Sequence, residues 1–196
     1  EKIAYKSVPT LTALDSGATL TGSLASAFKF TVSADSKGPI EWKKAQFKVS
    51  MTHATMSAAS TTNVELHRAG SATALSFATV YSGAGQASST TVTITGGNTG
   101  YVSIELSDGN EEEIAAGGSQ SYELWLTFSD LNTSSGNDPE AAISLNRQET
   151  TPATNATWYA GVAGAAVDTN MTPSLIWSDM SSDSHSSSTA DWTSGV

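Results

Sequence analysis

The stretch Ser119–Ser129 (SQSYELWLTFS) alternates apolar and polar residues with a period of two. Tyr122, Leu124, Leu126 and Phe128 leave one face of an extended chain; Glu123, Trp125 and Thr127 leave the other. Successive side chains of a strand point to opposite sides of the pleat, so this alternation marks a half-buried β-strand. The pattern recurs along most of the chain. About three in ten of the 196 residues are Ser or Thr, interleaved with apolar residues rather than gathered into linkers. Thr suits the wet face of a strand, because a β-branched side chain fits a pleated surface. The expected fold is all-β: a two-sheet antiparallel β-sandwich, immunoglobulin-like or jelly-roll in type.

Working outward, further strands are expected at sandwich spacing. They fall at Ile3–Val8, Thr10–Leu14, around Phe28, Phe30 and Val32, and from Ile40 to Met51. Others are Asn63–Arg68, Leu75–Tyr81, Thr90–Thr95, Tyr101–Leu106, Ala141–Arg147, Ala156–Val167 and Ser174–Trp177. Ile40 and Trp42 share one parity, whereas Phe47, Val49 and Met51 share the other, which places a bulge near Lys43–Lys44. Gly- and Asn-rich breaks such as Gly96-Gly-Asn-Thr-Gly and Asp108-Gly-Asn supply the turns. Met51–Ser60 (MTHATMSAAS) is the best helical candidate. One sandwich domain is expected over residues 1–177, followed by a Ser-rich C-terminal segment, 178–196, whose stretch Ser178–Ser188 (SDMSSDSHSSS) is read as an exposed loop or flexible connector. Two smaller sandwiches joined near residues 135–140 are the alternative.

Charged residues make up 14% of the chain and the net charge is −10. Nine Lys and Arg in total make nucleic acid an unsuitable partner, because phosphate neutralisation needs clustered cations. No run approaches the roughly 18 apolar residues of a membrane-spanning helix, so no membrane insertion is expected. There is no cysteine, hence no disulfide, thiol chemistry or Cys-based metal site. The chain is read as a mature product or an excised piece of a longer parent.

Candidate chemistry is sparse. The three histidines, His53, His67 and His185, lie in no nucleophile-elbow context. His67 shares parity with Glu65 and is expected on the solvent face; His185 lies in the Ser-rich loop. No enzymatic activity is expected. Asp130, Asp138 and Glu140 flank a loop that could offer oxygens to a structural Ca²⁺, although the spacing matches no EF-hand; the bland alternative is a solvated acidic loop. Trp125 stands on the polar parity of its strand and, with Trp158, is a candidate for stacking on sugar rings; core packing is the alternative. Asn132, Asn155 and Asn170 head Asn-x-Ser/Thr sequons and are the candidate glycosylation sites. The first strand, with Ile3, Tyr5 and Val8, either pairs in its own sheet or is donated to a neighbouring copy.

Thr172–Gly195 (TPSLIWSDMSSDSHSSSTADWTSG) carries a recognisable pattern, reinforced by Phe30–Val49 (FTVSADSKGPIEWKKAQFKV), Gly96–Leu106 (GGNTGYVSIEL) and Ile114–Phe128 (IAAGGSQSYELWLTF). Together these segments resemble the β-rich domains of large secreted surface proteins from bacteria of the candidate phyla radiation. The resemblance implies an exported, extracellular or cell-surface product: a surface-layer, filament or adhesin component. It brings no catalytic residues. Trp177-Ser178-Asp179, His185 and Asp191-Trp192 match its "WSD…H…DW" pattern and are read as structural: two tryptophans anchor the terminal strand while polar residues hold the loop.

The expected function is therefore a structural surface protein whose partners are other copies of itself, assembling into a filament or layer. The alternative is a monomeric adhesin or carbohydrate-binding sandwich, with glycans as partners.

Overall fold

The computed structural model describes residues 4–14, 20–59, 63–82, 91–131, 136, 138–145, 174–189 and 191–193. Among them every regular element is a strand and there is no helix. In chain order the strands are β1 (Thr10–Leu14), β2 (Ala25–Ser33), β3 (Ile40–Thr52), β4 (Thr55–Ala59), β5 (Val64–Arg68), β6 (Phe77–Ser82) and β7 (Thr91–Ile94). They continue with β8 (Thr99–Leu106), β9 (Glu112–Ile114), β10 (Ser119–Leu126), β11 (Phe128–Ser129), β12 (Glu140–Leu145) and β13 (Leu175–Ser178).

Among the described residues all pairings are antiparallel and form three sheets. The first runs β1-β2-β10-β5 and the second β12-β3-β8-β6, with β9 and β13 also pairing to β3. A small third sheet runs β11-β4-β7. The inward sets are those the alternation demands. Phe28, Phe30 and Val32 on β2 and Tyr122, Leu124 and Leu126 on β10 are buried in one apolar core, together with Trp42, Phe47, Val49, Val102 and Ile104 of the second sheet. Aromatic rings carry the contact between the two sheets. Phe30 lies 5.4 Å from Phe47 and 6.4 Å from Trp42, and Tyr122 meets Trp42 edge-on at 5.1 Å. Each such side chain contributes roughly 1.5–3 kcal/mol by leaving water.

β3 is the strand on which the second sheet is built. Ile176 pairs Lys44 and Trp177 pairs Trp42, so Lys43 is the extra residue of a bulge. The bulge reverses the parity and lets Trp42 and Ala45 both face the core. It also buries two lysines on the far side. Lys44, fully buried, reaches Glu105 on β8 at 3.1 Å. Burial pushes its pKa down, against the pull of Glu105.

Three expectations are corrected. The Met51–Ser60 candidate is not helical over its described part, 51–59: it runs through the end of β3, a corner at His53 and Ala54, and β4. Pairing of Met56 with Ile94 on one side and Phe128 on the other outweighs a weak local helical tendency. Residues 4–9 form no strand; Pro9 lacks an N–H for a ladder, and Tyr5 and Lys6 dock instead on the C-terminal segment. The Ser178–Ser188 stretch is no free connector, since Ser178 and Asp179 are buried and His185 is bonded to Glu41 and Asp191. The strand expected at Ala156–Val167 lies outside the described residues.

Candidate functional site

The C-terminal segment carries the densest polar network among the described residues. It starts where β13 ends and folds back on the outer side of β3. The backbones of Trp177 and Thr193 exchange two hydrogen bonds, N–H to carbonyl, at 2.8 and 2.7 Å. This isolated bridge closes a loop over Ser178–Trp192. Trp177 faces the core, whereas Trp192, 1% exposed, packs under the loop, its indole N–H donating to the Ser186 carbonyl at 2.9 Å.

His185 is the centre of this loop. Its Nδ1 lies 2.7 Å from Asp191 Oδ2, and its Nε2 contacts Glu41 Oε2 on β3. Ser178 Oγ donates to Asp191 Oδ2 at 2.6 Å and accepts the Met180 N–H at 2.9 Å. Thr189 Oγ1 donates to the other Asp191 oxygen. Lys43, exposed by only 2%, donates to the Ser187 carbonyl at 2.8 Å, and its ammonium lies 5.1 Å from the Trp192 ring centroid. Burial alone would push Asp191 up, but the Ser178 and Thr189 hydroxyls and His185 outweigh it and hold the carboxyl below its ordinary 3.8. Ser178 is buried and spends its proton on Asp191, so Ser178, His185 and Asp191 do not make a nucleophile with its base. The arrangement fastens the loop to β3.

The N-terminal segment is tied into the same place. Lys6 N–H donates to Asp179 Oδ2 at 2.8 Å, and Tyr5 packs 5.0 Å from Trp177 with its hydroxyl 3.1 Å from Thr193 Oγ1. Of the candidate assembly residues, Tyr5 and Val8 are half-buried against the core of their own chain, and Ile3 lies outside the described residues.

Trp125 stands on the outer face of the first sheet. Its ring stacks on His67 at 4.5 Å with an interplanar angle of 27°, and its N–H donates to Glu123 Oε2 at 3.2 Å. Glu123 in turn takes a 2.8 Å ion pair from Lys29, which is the main cause holding its carboxyl below 4.5. The solvent-face expectation for His67 is corrected here. Its parity is outward, but the ring is 3% exposed, covered by Trp125 and bonded to Glu65 at 2.7 Å and the Ser71 carbonyl at 3.1 Å. Trp158 lies outside the described residues.

Asp130 lines a cleft of about 520 Å³ with Thr52, His53, Ala54, Thr55, Gly96 and Gly97. Both His53 and Asp130 adopt left-handed backbone, φ +50° and +52°. The Asp138 carbonyl accepts from His53 Nδ1 at 3.3 Å, and Glu140 opens β12, opposite Thr52. Asp130, Asp138 and Glu140 are exposed, and no group of three or more metal-ligating side chains forms among the described residues. Asn132, Asn155 and Asn170 lie outside those residues.

Sequence reasoning missed the partners of His185. Its loop carries the "WSD…H…DW" pattern, but Glu41 lies 144 residues away and no local signal joins the two. Comparison with known proteins finds no matching family model, no similar curated protein and no similar solved structure.

Proposed function

We propose that this chain is a structural extracellular or cell-surface protein that assembles with copies of itself into a filament or surface layer. Its fold is read as a two-sheet sandwich of immunoglobulin-like or jelly-roll type. The observation that carries the reading is β1. It is the end strand of the first sheet, four of its five residues are exposed, and Thr10–Leu14 holds no charge and no proline. An edge without such guards is a template for pairing with another chain. Next to it, the outer face of the sheet is lined with hydroxyls, among them Thr31 and Ser121, hydrogen-bonded at 2.8 Å. Strand donation is the variant in which the Tyr5–Val8 segment leaves its seat and takes the equivalent seat on a neighbour. The net charge of −10 must be screened or bridged as copies approach.

Negative-stain microscopy of the concentrated protein, with and without added Ca²⁺, tests the proposal. Ordered fibres or sheets that disappear in Thr12→Pro support it. Single particles under every condition overturn it.

Trp125 supports a second reading, a glycan-binding adhesin. Its indole is held in place on a sheet face beside Glu123, Lys29 and Glu65, the polar groups a sugar needs around a stacking ring. Binding on a glycan array that vanishes in Trp125→Ala is the expected result. An array silent throughout removes this reading.

A further inference from the structure

We propose that the C-terminal segment is a proton-operated clasp, which holds the 178–193 loop against β3, and with it Tyr5 and Lys6, while the His185 ring carries two protons and loosens when it carries one. This goes beyond assembly and stands whether or not copies associate. The argument begins with donors and acceptors. Both ring nitrogens face carboxylate oxygens, Nδ1 that of Asp191 and Nε2 that of Glu41. An ionised carboxylate only accepts, so both nitrogens must donate, and only the imidazolium has two N–H groups. Loss of one proton sets a ring lone pair against a carboxylate, with all three side chains at most 18% exposed. The contact then turns from attractive to repulsive.

The surrounding charges favour the closed form at neutral pH. Glu41 and Lys43 come from β3, and Glu113 of β9 stands opposite Glu41. Asp179, Asp183 and Asp191 come from the segment itself. Lys43 is engaged with Ser187 and Trp192 and does not neutralise Glu41 or Asp191 by a direct contact. Burial lowers the His185 pKa, but the hydrogen bonds to Glu41 and Asp191 outweigh it, and the net direction is upward from 6.5. A folded-state value above the unfolded one means stability fully present below about 6.5 and lost as pH rises through the higher folded value. The clasp is therefore closed in mildly acidic to neutral solution and loosens on the alkaline side.

What it holds is the Tyr5–Lys6 stretch and the loop closed by Thr193. The Trp177–Thr193 bridge, the Lys6 N–H on Asp179 and the Tyr5 hydroxyl on Thr193 all hang on this loop. Opening frees the Tyr5–Val8 segment together with the tail.

Hydrogen–deuterium exchange on the full chain, corrected for intrinsic pH dependence, tests this between pH 6 and pH 10. Peptides over 178–193 and 4–9 are expected to lose tenfold or more of their protection at high pH, while β10 peptides keep theirs. His185→Gln is expected to show low protection in the two terminal peptides at every pH. If that variant fails to fold, Glu41→Gln decides: replacing one of the two carboxylates with a neutral amide should move the opening midpoint to lower pH. A flat profile in the unaltered chain, a pH response that survives His185→Gln, or an unmoved midpoint in Glu41→Gln overturns the proposal.

Discussion

Arg68 grips Glu112 through two parallel hydrogen bonds, Nε to Oε2 at 2.8 Å and Nη2 to Oε1 at 2.7 Å. The pair joins β5 of the first sheet to β9 of the second. Behind it the Tyr122 hydroxyl donates to Glu112 at 3.1 Å and accepts the Trp42 indole N–H at 3.1 Å. Burial pushes the Tyr122 phenol well up, so it remains a donor throughout the ordinary pH range. The partners are unequal: the Glu112 side chain is 4% exposed, the Arg68 side chain 56%. Arg68→Ala therefore strands a buried carboxylate and is expected to cost about 2–3 kcal/mol. Glu112→Gln leaves only neutral groups inside and should cost about 1 kcal/mol. Urea unfolding, with an unchanged slope and a shifted midpoint, reads the difference; the reverse order would sink this account.

Phe30 has 0% exposure and touches four other aromatic rings. Phe30→Ala should lose about 3–5 kcal/mol through transfer and cavity terms. Leu14, 39% exposed, fills no such space, and Leu14→Ala should stay within about 0.5 kcal/mol of the parent. Thermal unfolding of the two variants side by side checks the contrast.

Gly100 sits on β8 with no room for a side chain. A Cβ there would lie 2.6 Å from Ile94 Cγ1. Gly100→Ala is expected to destabilise by about 1–3 kcal/mol through overpacking. Combining Gly100→Ala with Ile94→Ala should cost less than the sum of the two separate effects, because the shortened neighbour makes room for the added Cβ, a coupling that a double-mutant cycle measures.

Acid should loosen the outer face of the first sheet at Glu123 and, separately, the C-terminal loop at Asp191. The Lys29 ammonium holds Glu123 below 4.5, and Asp191 is held below 3.8 once its hydrogen bonds have outweighed burial. Depressed folded values mean stability present above the ordinary value and lost as pH falls through the lower folded one. Lys29→Ala is expected to raise the Glu123 titration midpoint toward 4.5 and flatten the acid limb, which carboxyl-carbon NMR follows residue by residue.

Much of the strand inventory was legible because it rests on local sterics. Alternation through Ser119–Phe128 placed Tyr122, Leu124 and Leu126 inward, where they are found. The change of parity around Lys43–Lys44 located the bulge opposite Ile176 and Trp177. Even the tail showed its anchors, since Trp177 and Trp192 are both buried. Legibility ended where partners are distant along the chain. Outward parity for His67 was right about direction and wrong about water, because Trp125 of a neighbouring strand covers the ring.

A period of two needs only one strand to be visible, because each pleat sends its side chains up and down by covalent geometry alone. All-β character and the inward-facing residues therefore follow from the order of amino acids. Which strand lies beside which is set by whole-chain packing, where loop closure and core filling compete over long separations. The meeting of His185 with Glu41, and of Arg68 with Glu112, belongs to that second level and exists only once the sheets are stacked.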